Sequence, residues 1–286
     1  MMNWNQLISA KRFGMEEFHE ERQENRSEFQ RDYDRLIFSA PFRRLQNKTQ
    51  VFPLPGSVFV HNRLTHSLEV ASVGRSLGDD VAKALLERHP ELQDSFLPEI
   101  GSIVSAACLA HDLGNPPFGH SGEKAISTFF SEGKGVRLKE KQPNGEQLSP
   151  MEWEDLTHFE GNANAFRILT HQFEGRRKGG FVLTYTTLAS IVKYPFSSSL
   201  AGTKSKFGFF ISEEESFQKI ATELGLTLLN EHPLKYARHP LVYLVEAADD
   251  ICYQMMDIED AYKLKILTTE ETKELLMTYF SEERQE

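Results

Sequence analysis

The stretch that most constrains this chain is Ala110–Glu123, which reads AHDLGNPPFGHSGE. His111 and Asp112 close an apolar run of helical character, and the prolines that follow end that helix. Neighbouring helical residues point about 100° apart, but both side chains can reach one ion where the backbone turns sharply. Imidazole and carboxylate together suit a divalent cation. The stretch therefore predicts half of a metal site.

A second polar pair, His120 and Glu123, follows the break at a spacing of three. If a helix begins near Ser121, the carboxylate can hold the imidazole in one tautomer. A capped turn with two solvated polar residues is the alternative interpretation. The pair therefore strengthens the prediction of a site at this stretch.

The long helical pattern of His61–His89 places His66 on an inward-facing apolar stripe. Taken alone, His66 is better explained as a hydrogen-bonded core histidine. Arg63 shares the same face, and a guanidinium beside a buried imidazole is costly without an anion. This pairing favours a functional site.

The segment Pro240–Lys263 is also helical in pattern and places Asp249 on an apolar face. A buried carboxylate requires a cation, and the sequence has no Lys or Arg within one helical turn of Asp249. A metal is therefore the better partner. Asp250 points about 100° away and is expected to be either solvated or a secondary member of the site.

Composition excludes several classes of protein. Asp and Glu outnumber Lys and Arg by 42 to 32, giving a formal charge of -10, which argues against a surface built to bind nucleic acid. The two cysteines, Cys108 and Cys252, imply no disulfide framework and favour a reducing compartment. No apolar run of about 18 residues and no signal peptide are visible, so a cytoplasmic location without membrane contact is expected.

Several longer strings carry a resemblance: RRLQNKTQVFPL, NRLTHSLEV, HDLGNPPFGHSGE, HFEGNAN, VKYP and EAADDICYQMMDIEDA. From about residue 35 to 263, the chain resembles the HD-domain phosphohydrolases, and within them the deoxyguanosinetriphosphate and related dNTP triphosphohydrolases. The resemblance implies an all-α fold, an HD-domain helical bundle with polar loop insertions. It also implies hydrolysis of a deoxynucleoside triphosphate, dGTP favoured, to deoxynucleoside and inorganic triphosphate.

The implied domains are an exposed N-terminal arm and entry helix (1–35), the HD phosphohydrolase domain (36–265) and an acidic helix (266–286). Residues 131–155 and 197–208 are expected to be surface loops. Helices are expected over Trp153–Thr170 and Thr187–Tyr194. Family members usually continue well beyond 286 residues, so the resemblance implies a truncated, cleaved or minimal version.

Residue by residue, the resemblance implies roles for fourteen positions. The implied metal ligands are His66, His111, Asp112 and Asp249. The implied catalytic pair is His120 and Glu123. The implied substrate-binding residues are Gln50, Arg63, Asn115, His158, Lys193, Tyr194, Tyr253 and Asp257.

Within the last group, Gln50, Tyr253 and Asp257 correspond to deoxyribose contacts, and Lys193 and Tyr194 to triphosphate contacts. Asn115 stands where close relatives often carry another histidine, which leaves proton handling near the leaving group open.

The implied cofactor is a divalent ion, Mn²⁺ or Mg²⁺ before Fe, Co, Zn or Ni. The implied partners are a dNTP substrate and further copies of the chain, as a hexamer or dimer, with nucleic acid only as an effector. Two alternatives stay open: another HD-domain nucleotidase or phosphodiesterase, and a non-catalytic dNTP-binding regulatory protein.

Overall fold

The computed structural model describes residues 2–17, 26–52, 59–93, 95–140, 147–175, 178–202 and 205–280. The described chain is predominantly helical, which confirms the all-α prediction. Its α-helices are α1 Trp4–Leu7, α2 Glu28–Ile37, α3 Ala40–Arg44, α4 Arg63–Arg88, α5 Ile100–Ala110, α6 Gly119–Ser131, α7 Pro150–Thr157, α8 Gly161–Thr170, α9 Tyr185–Ile191, α10 Glu214–Glu223, α11 Val242–Lys263 and α12 Thr269–Met277. Two short antiparallel strands, β1 Leu228–Asn230 and β2 Lys235–Tyr236, form a hairpin that periodicity did not predict.

The core is organised around α5, which is buried at every position. Helices α2, α4, α9 and α11 pack against it, and many of its residues are small. Gly78 of α4 meets Gly101 of α5 so closely that a Cβ on Gly78 would lie 2.7 Å from the Gly101 Cα. Because α5 runs through the middle of the bundle, its carboxyl end delivers His111 and Asp112 to the interior.

The start of α4 is fixed by a capping box. The Asn62 side chain accepts hydrogen bonds from the backbone N–H groups of Leu64 and Thr65, and the Thr65 hydroxyl accepts one from Asn62 N–H. This cap sets the first turn of α4, which carries Arg63 and His66. Both side chains are buried there.

The described part of residues 1–35 is not an exposed arm, so that expectation is wrong for 2–17 and 26–35, while residues 18–25 lie outside the described residues. Leu7, Ile8 and Phe29 are buried in the core. Arg12 is also buried, and its guanidinium binds the carboxylates of Glu28 at 2.5 Å and Asp32 at 2.7 Å. A segment rich in charged residues was taken for a solvated one, whereas here opposite charges neutralise each other inside the protein.

The expected single helix over Trp153–Thr170 is also wrong. It is two helices, α7 and α8, separated by residues 158–160, because the Glu160 side chain caps α8 through the N–H groups of Asn162 and Ala163. The loop expected at 131–155 contains a 3₁₀ helix, Lys134–Lys139, and the first residues of α7. Residues 141–146 of that loop lie outside the described residues.

Two further elements are shorter than expected. Helix α9 ends at Ile191, so Lys193 and Tyr194 follow it instead of lying in its last turn. The acidic C-terminal helix is observed as α12, and residues 281–286 lie outside the described chain. Among the described helices, none is long and apolar enough to cross a membrane.

Candidate active site

The four predicted metal ligands lie together where α4, the end of α5 and α11 meet. One ligand atom each of His66, His111 and Asp112 lies within 4.8 Å of the others. The Asp249 Oδ1 is 3.0 Å from His66 Nε2 and 3.6 Å from His111 Nε2. Neighbouring ligand atoms of one ion bound at about 2.0–2.2 Å are separated by similar distances. The group can therefore hold one divalent ion.

His111 presents its free nitrogen to this group. Its Nδ1 donates a hydrogen bond to the Cys108 carbonyl at 2.6 Å, which directs Nε2 towards the two carboxylates. Nε2 is buried and has no hydrogen-bond partner among the described residues. Burial lowers the pKa of His111, but the carboxylates of Asp112 and Asp249 outweigh burial and raise it to about 9. A buried nitrogen without a partner is the observation that fits a metal ligand best.

Asp112 is oriented by its neighbours. Its Oδ2 accepts a hydrogen bond from Arg63 Nη1 at 2.6 Å, and its Oδ1 accepts a short one from the Asn115 amide. Burial raises the pKa of Asp112, but the positive charges of His111, Arg63 and His66 lower it below its usual value. The anion that Arg63 requires is thus Asp112 itself.

Asp249 lies on α11 at the rim of the group. Its side chain is 37% exposed, so the pocket reaches it. Burial raises its pKa, yet the two histidines lower it well below the usual range. Asp250 is exposed, as its position about 100° round the helix predicts.

His120 and Glu123 form the predicted pair on α6. The His120 Nδ1 lies 2.8 Å from Glu123 Oε2, while its side chain is 85% exposed. The other Glu123 oxygen accepts the backbone N–H of Gly161 at 2.8 Å, at the start of α8. Glu123 is therefore held between two helices, and it fixes the tautomer that leaves Nε2 of His120 free to accept a proton.

These groups, apart from His66, line one cavity of about 490 Å³. Its other lining residues include Gln50, Arg63, Asn115, Glu160, Lys193, Tyr194, Lys206, Glu246 and Tyr253. Among the described residues, the lining carries three lysine and arginine side chains against five carboxylates. A divalent ion would offset that excess of negative charge, so an anionic ligand needs the metal to be attracted here.

Two of the three predicted deoxyribose contacts, Gln50 and Tyr253, line this cavity. Gln50 lines it, and its Oε1 is buried with no hydrogen-bond partner among the described residues. Tyr253 lines it as well, and Asp257 shares a hydrogen bond with Tyr253. A buried, unsatisfied acceptor in the wall of this cavity suits a hydroxyl-bearing ligand.

His158 does not share this cavity. It lines a different one, with Trp153 and Lys124, and its Nδ1 lies 3.1 Å from the Glu154 carboxylate. The resemblance placed it by motif alone, and the break between α7 and α8 turns it away from the metal group. A substrate-binding role for His158 stays a prediction that this position does not support.

Sequence reasoning missed Lys206, because residues 197–208 were expected to form a flexible loop. Its ammonium lies 2.8 Å from Glu160 and 3.8 Å from Glu123. Burial lowers the pKa of Lys206, but Glu160 raises it above the usual value, so the side chain stays charged in the cavity wall. The aromatic run beside it, KFGFF, was the available signal, since Phe207 and Phe209 are buried.

The sequence of this chain is similar to a known domain family and to several named proteins. Residues 63–178 match the family model described as HD domain. The chain is 46% identical over 284 residues to a Pseudomonas aeruginosa protein named "Deoxyguanosinetriphosphate triphosphohydrolase-like protein", covering 96% of this chain and 61% of that protein. A Synechocystis protein of the same name is 45% identical over 275 residues, covering 93% of this chain and 61% of the relative.

A Yersinia enterocolitica protein named "Deoxyguanosinetriphosphate triphosphohydrolase" is 36% identical over 304 residues, covering 94% of this chain and 57% of that protein. The chain thus spans about three fifths of the length of the relatives it matches.

Proposed function

As an HD-domain protein and a homologue of the deoxyguanosinetriphosphate triphosphohydrolase-like proteins, this chain is, we propose, a metal-dependent dNTP triphosphohydrolase. The reaction breaks the ester bond between the deoxynucleoside and its α-phosphate, and water supplies the new oxygen. The products are deoxynucleoside and inorganic triphosphate. The names of the relatives favour dGTP as the substrate.

The observation that supports this proposal most strongly is the unpartnered Nε2 of His111, which faces two carboxylates inside a polar cavity. His66, His111, Asp112 and Asp249 would hold a divalent ion, with Mn²⁺ or Mg²⁺ the preferred choices. When bound, the ion supplies Lewis-acid polarisation of the phosphate ester.

The chain's own groups supply the remaining chemistry. His120, with Nδ1 held by Glu123, accepts the proton of the attacking water at Nε2, which is general base catalysis. Arg63, Lys193 and Lys206 supply positive charge for the triphosphate. Gln50 accepts a hydrogen bond from the sugar hydroxyl, while Tyr253 packs on the sugar and disfavours a ribose 2'-hydroxyl.

The test is incubation of the chain with each dNTP and Mn²⁺ or Mg²⁺, followed by chromatography of the phosphate product. Inorganic triphosphate is the expected product. Pyrophosphate or orthophosphate would indicate a different HD-domain hydrolase, and binding without turnover under either metal would indicate a regulatory protein. Size-exclusion chromatography with light scattering tests the proposed hexamer or dimer in the same samples.

A further inference from the structure

Two cations share one carboxylate in the wall of the cavity. The Oε1 of Glu246, on α11, lies 2.8 Å from Lys193 Nζ, and its Oε2 lies 2.9 Å from Arg238 Nη1. Lys193 and Glu246 line the cavity, whereas Arg238 does not. Arg238 therefore lies behind the cavity wall, in contact with the lining residues Glu246 and Tyr194. Neither Arg238 nor Glu246 is part of the metal group or of the His120 pair.

Two aromatic rings fix the far end of this arrangement. The guanidinium carbon of Arg238 lies 5.5 Å from the ring centre of Tyr194 and 5.6 Å from that of Tyr243. Both distances are within the range of cation–π attraction. Lys193 Nζ lies 5.9 Å from the same Tyr194 ring. The carboxylate thus has one rigidly held partner, Arg238, and one flexible partner, Lys193.

We propose that Glu246 and Arg238 are positioning residues that hold the Lys193 ammonium towards the cavity for the distal phosphates of a triphosphate ligand. This inference rests on the proposed function. A lysine side chain loses much rotamer freedom when it binds a ligand, and a lysine that is already ordered loses less. An ammonium has three N–H donors, so Lys193 keeps two of them for phosphate oxygens when Glu246 takes one.

The charges of this cluster agree with that role. Burial lowers the pKa of Lys193, but Glu246 outweighs burial and raises it, which keeps the half-buried ammonium charged. Glu246 neutralises only one of its two cations, so the cluster keeps a net positive charge. A carboxylate with no second cation would instead neutralise the positive charge of Lys193 and would repel phosphate. The positive charge of Arg238 prevents that neutralisation.

The test substitutes Glu246→Gln, with Glu259→Gln as the matched control. Glu259 lies on the same helix and also pairs with a lysine, Lys263, at 2.8 Å, but it does not line the cavity. In Glu246→Gln, the loss of Lys193 ordering should raise the KM for dGTP about tenfold and leave kcat within about twofold. The reason is that a charge-assisted hydrogen bond is weakened equally in the ground state and in the transition state. Glu259→Gln should leave both constants unchanged. Glu246→Asp should recover part of the lost affinity.

Direct binding separates this inference from the proposed function. Calorimetric titration of the Mn²⁺-loaded chain with inorganic tripolyphosphate should show weaker binding in Glu246→Gln and in Arg238→Met, while deoxyguanosine binds as it does to wild type. If wild type turns over no dNTP, the proposed function fails, and the titration still tests the positioning of Lys193. Tripolyphosphate binding equal to or tighter than wild type in both folded variants would overturn the inference. Equal weakening of tripolyphosphate and deoxyguanosine binding would overturn it too, because it would indicate general structural damage.

Discussion

The Nε2 of His66 lies 3.0 Å from the Oδ1 of Asp249, although 183 residues separate the two along the chain. The contact joins the first turn of α4 to the middle of α11, and the end of α5 places His111 against both. Three helices thus meet at one polar point inside the bundle. Removing any one of these side chains is expected to disturb the rest of the group.

The first prediction concerns His111. His111→Ala should lose bound Mn²⁺ and lower the rate of dGTP hydrolysis at least about 100-fold. Loss of a residue that hydrogen-bonds to a metal ligand costs about 10–100-fold in metal affinity or activity, and loss of a ligand itself should cost more. Elemental analysis and the product assay measure both effects. His89→Ala is the control, since His89 is an exposed histidine paired with Glu91. Full metal content in His111→Ala would remove this residue from the ligand set.

His120 is expected to serve the chemical step without contributing to metal binding. His120→Ala should lower kcat by about 10²–10⁴ while metal content stays at the wild-type level. The melting temperature should not change, because the side chain is 85% exposed. Steady-state kinetics measured beside metal analysis tests this assignment. An unaltered kcat would exclude His120 as the general base.

Gly161 is expected to tolerate no side chain. A Cβ there would lie 2.1 Å from Asn115 Oδ1 and 2.9 Å from Glu123 Oε1, both in the site. Gly161→Ala should therefore destabilise the fold by about 1–3 kcal/mol and lower kcat. Gly175→Ala is the comparison: Gly175 has a φ of +73°, and none of the described residues lies within 4 Å of an added Cβ, so backbone strain is the expected effect. Equal activity in the two variants would contradict the assigned role of Gly161.

Arg12 is expected to matter for folding far more than its place in a charged segment suggests. Arg12→Met leaves Asp32 buried without the Arg12 cation and leaves Glu28 with the longer 3.6 Å contact to Arg31, which should cost about 3–5 kcal/mol in the free energy of unfolding. Arg26→Met breaks an exposed pair with Asp34 and should cost about 0–1 kcal/mol. Urea unfolding of both variants measures the difference. Similar losses would argue against a buried network.

Acid should destabilise the protein partly through His239. Its Nε2 donates to the Leu7 carbonyl and its Nδ1 accepts the Leu241 N–H, so the folded protein holds the neutral ring. Burial lowers the pKa of His239 from 6.5 to about 4. Between pH 4 and pH 6.5 the unfolded chain binds a proton at His239 that the folded chain does not, so acid favours the unfolded state. The contribution of the neutral His239 to the free energy of unfolding is therefore fully present above about pH 6.5.

That contribution should fall by about 3 kcal/mol as the pH falls towards 4. Urea unfolding at pH 7 and pH 5 should show a smaller loss of stability in His239→Gln than in wild type. The same loss in both proteins would show that another group accounts for it.

Local sequence was informative wherever one segment carried its own pattern. The helical periods, the proline stop after Asp112 and the spacing of His120 and Glu123 are all short-range features, and the corresponding helices α4, α5, α6 and α11 are observed. The burial of charged side chains was harder to predict from the sequence. Arg12 was placed in an exposed arm, and Lys206 in a flexible loop, because a charged residue shows its partner only when distant segments meet.

The sequence by itself determined that this chain is helical, that it carries an HD domain, and which histidines and aspartates lie on apolar faces. Tertiary structure alone decided that His66, His111, Asp112 and Asp249 meet, that Asp112 serves as the anion for Arg63, and that His158 lies outside the cavity. The physical reason is the distance along the chain over which each effect acts. Periodicity and helix stops act within a few turns of backbone, whereas a coordination site and the charges around it depend on distances of 3–4 Å between side chains that are remote in the chain.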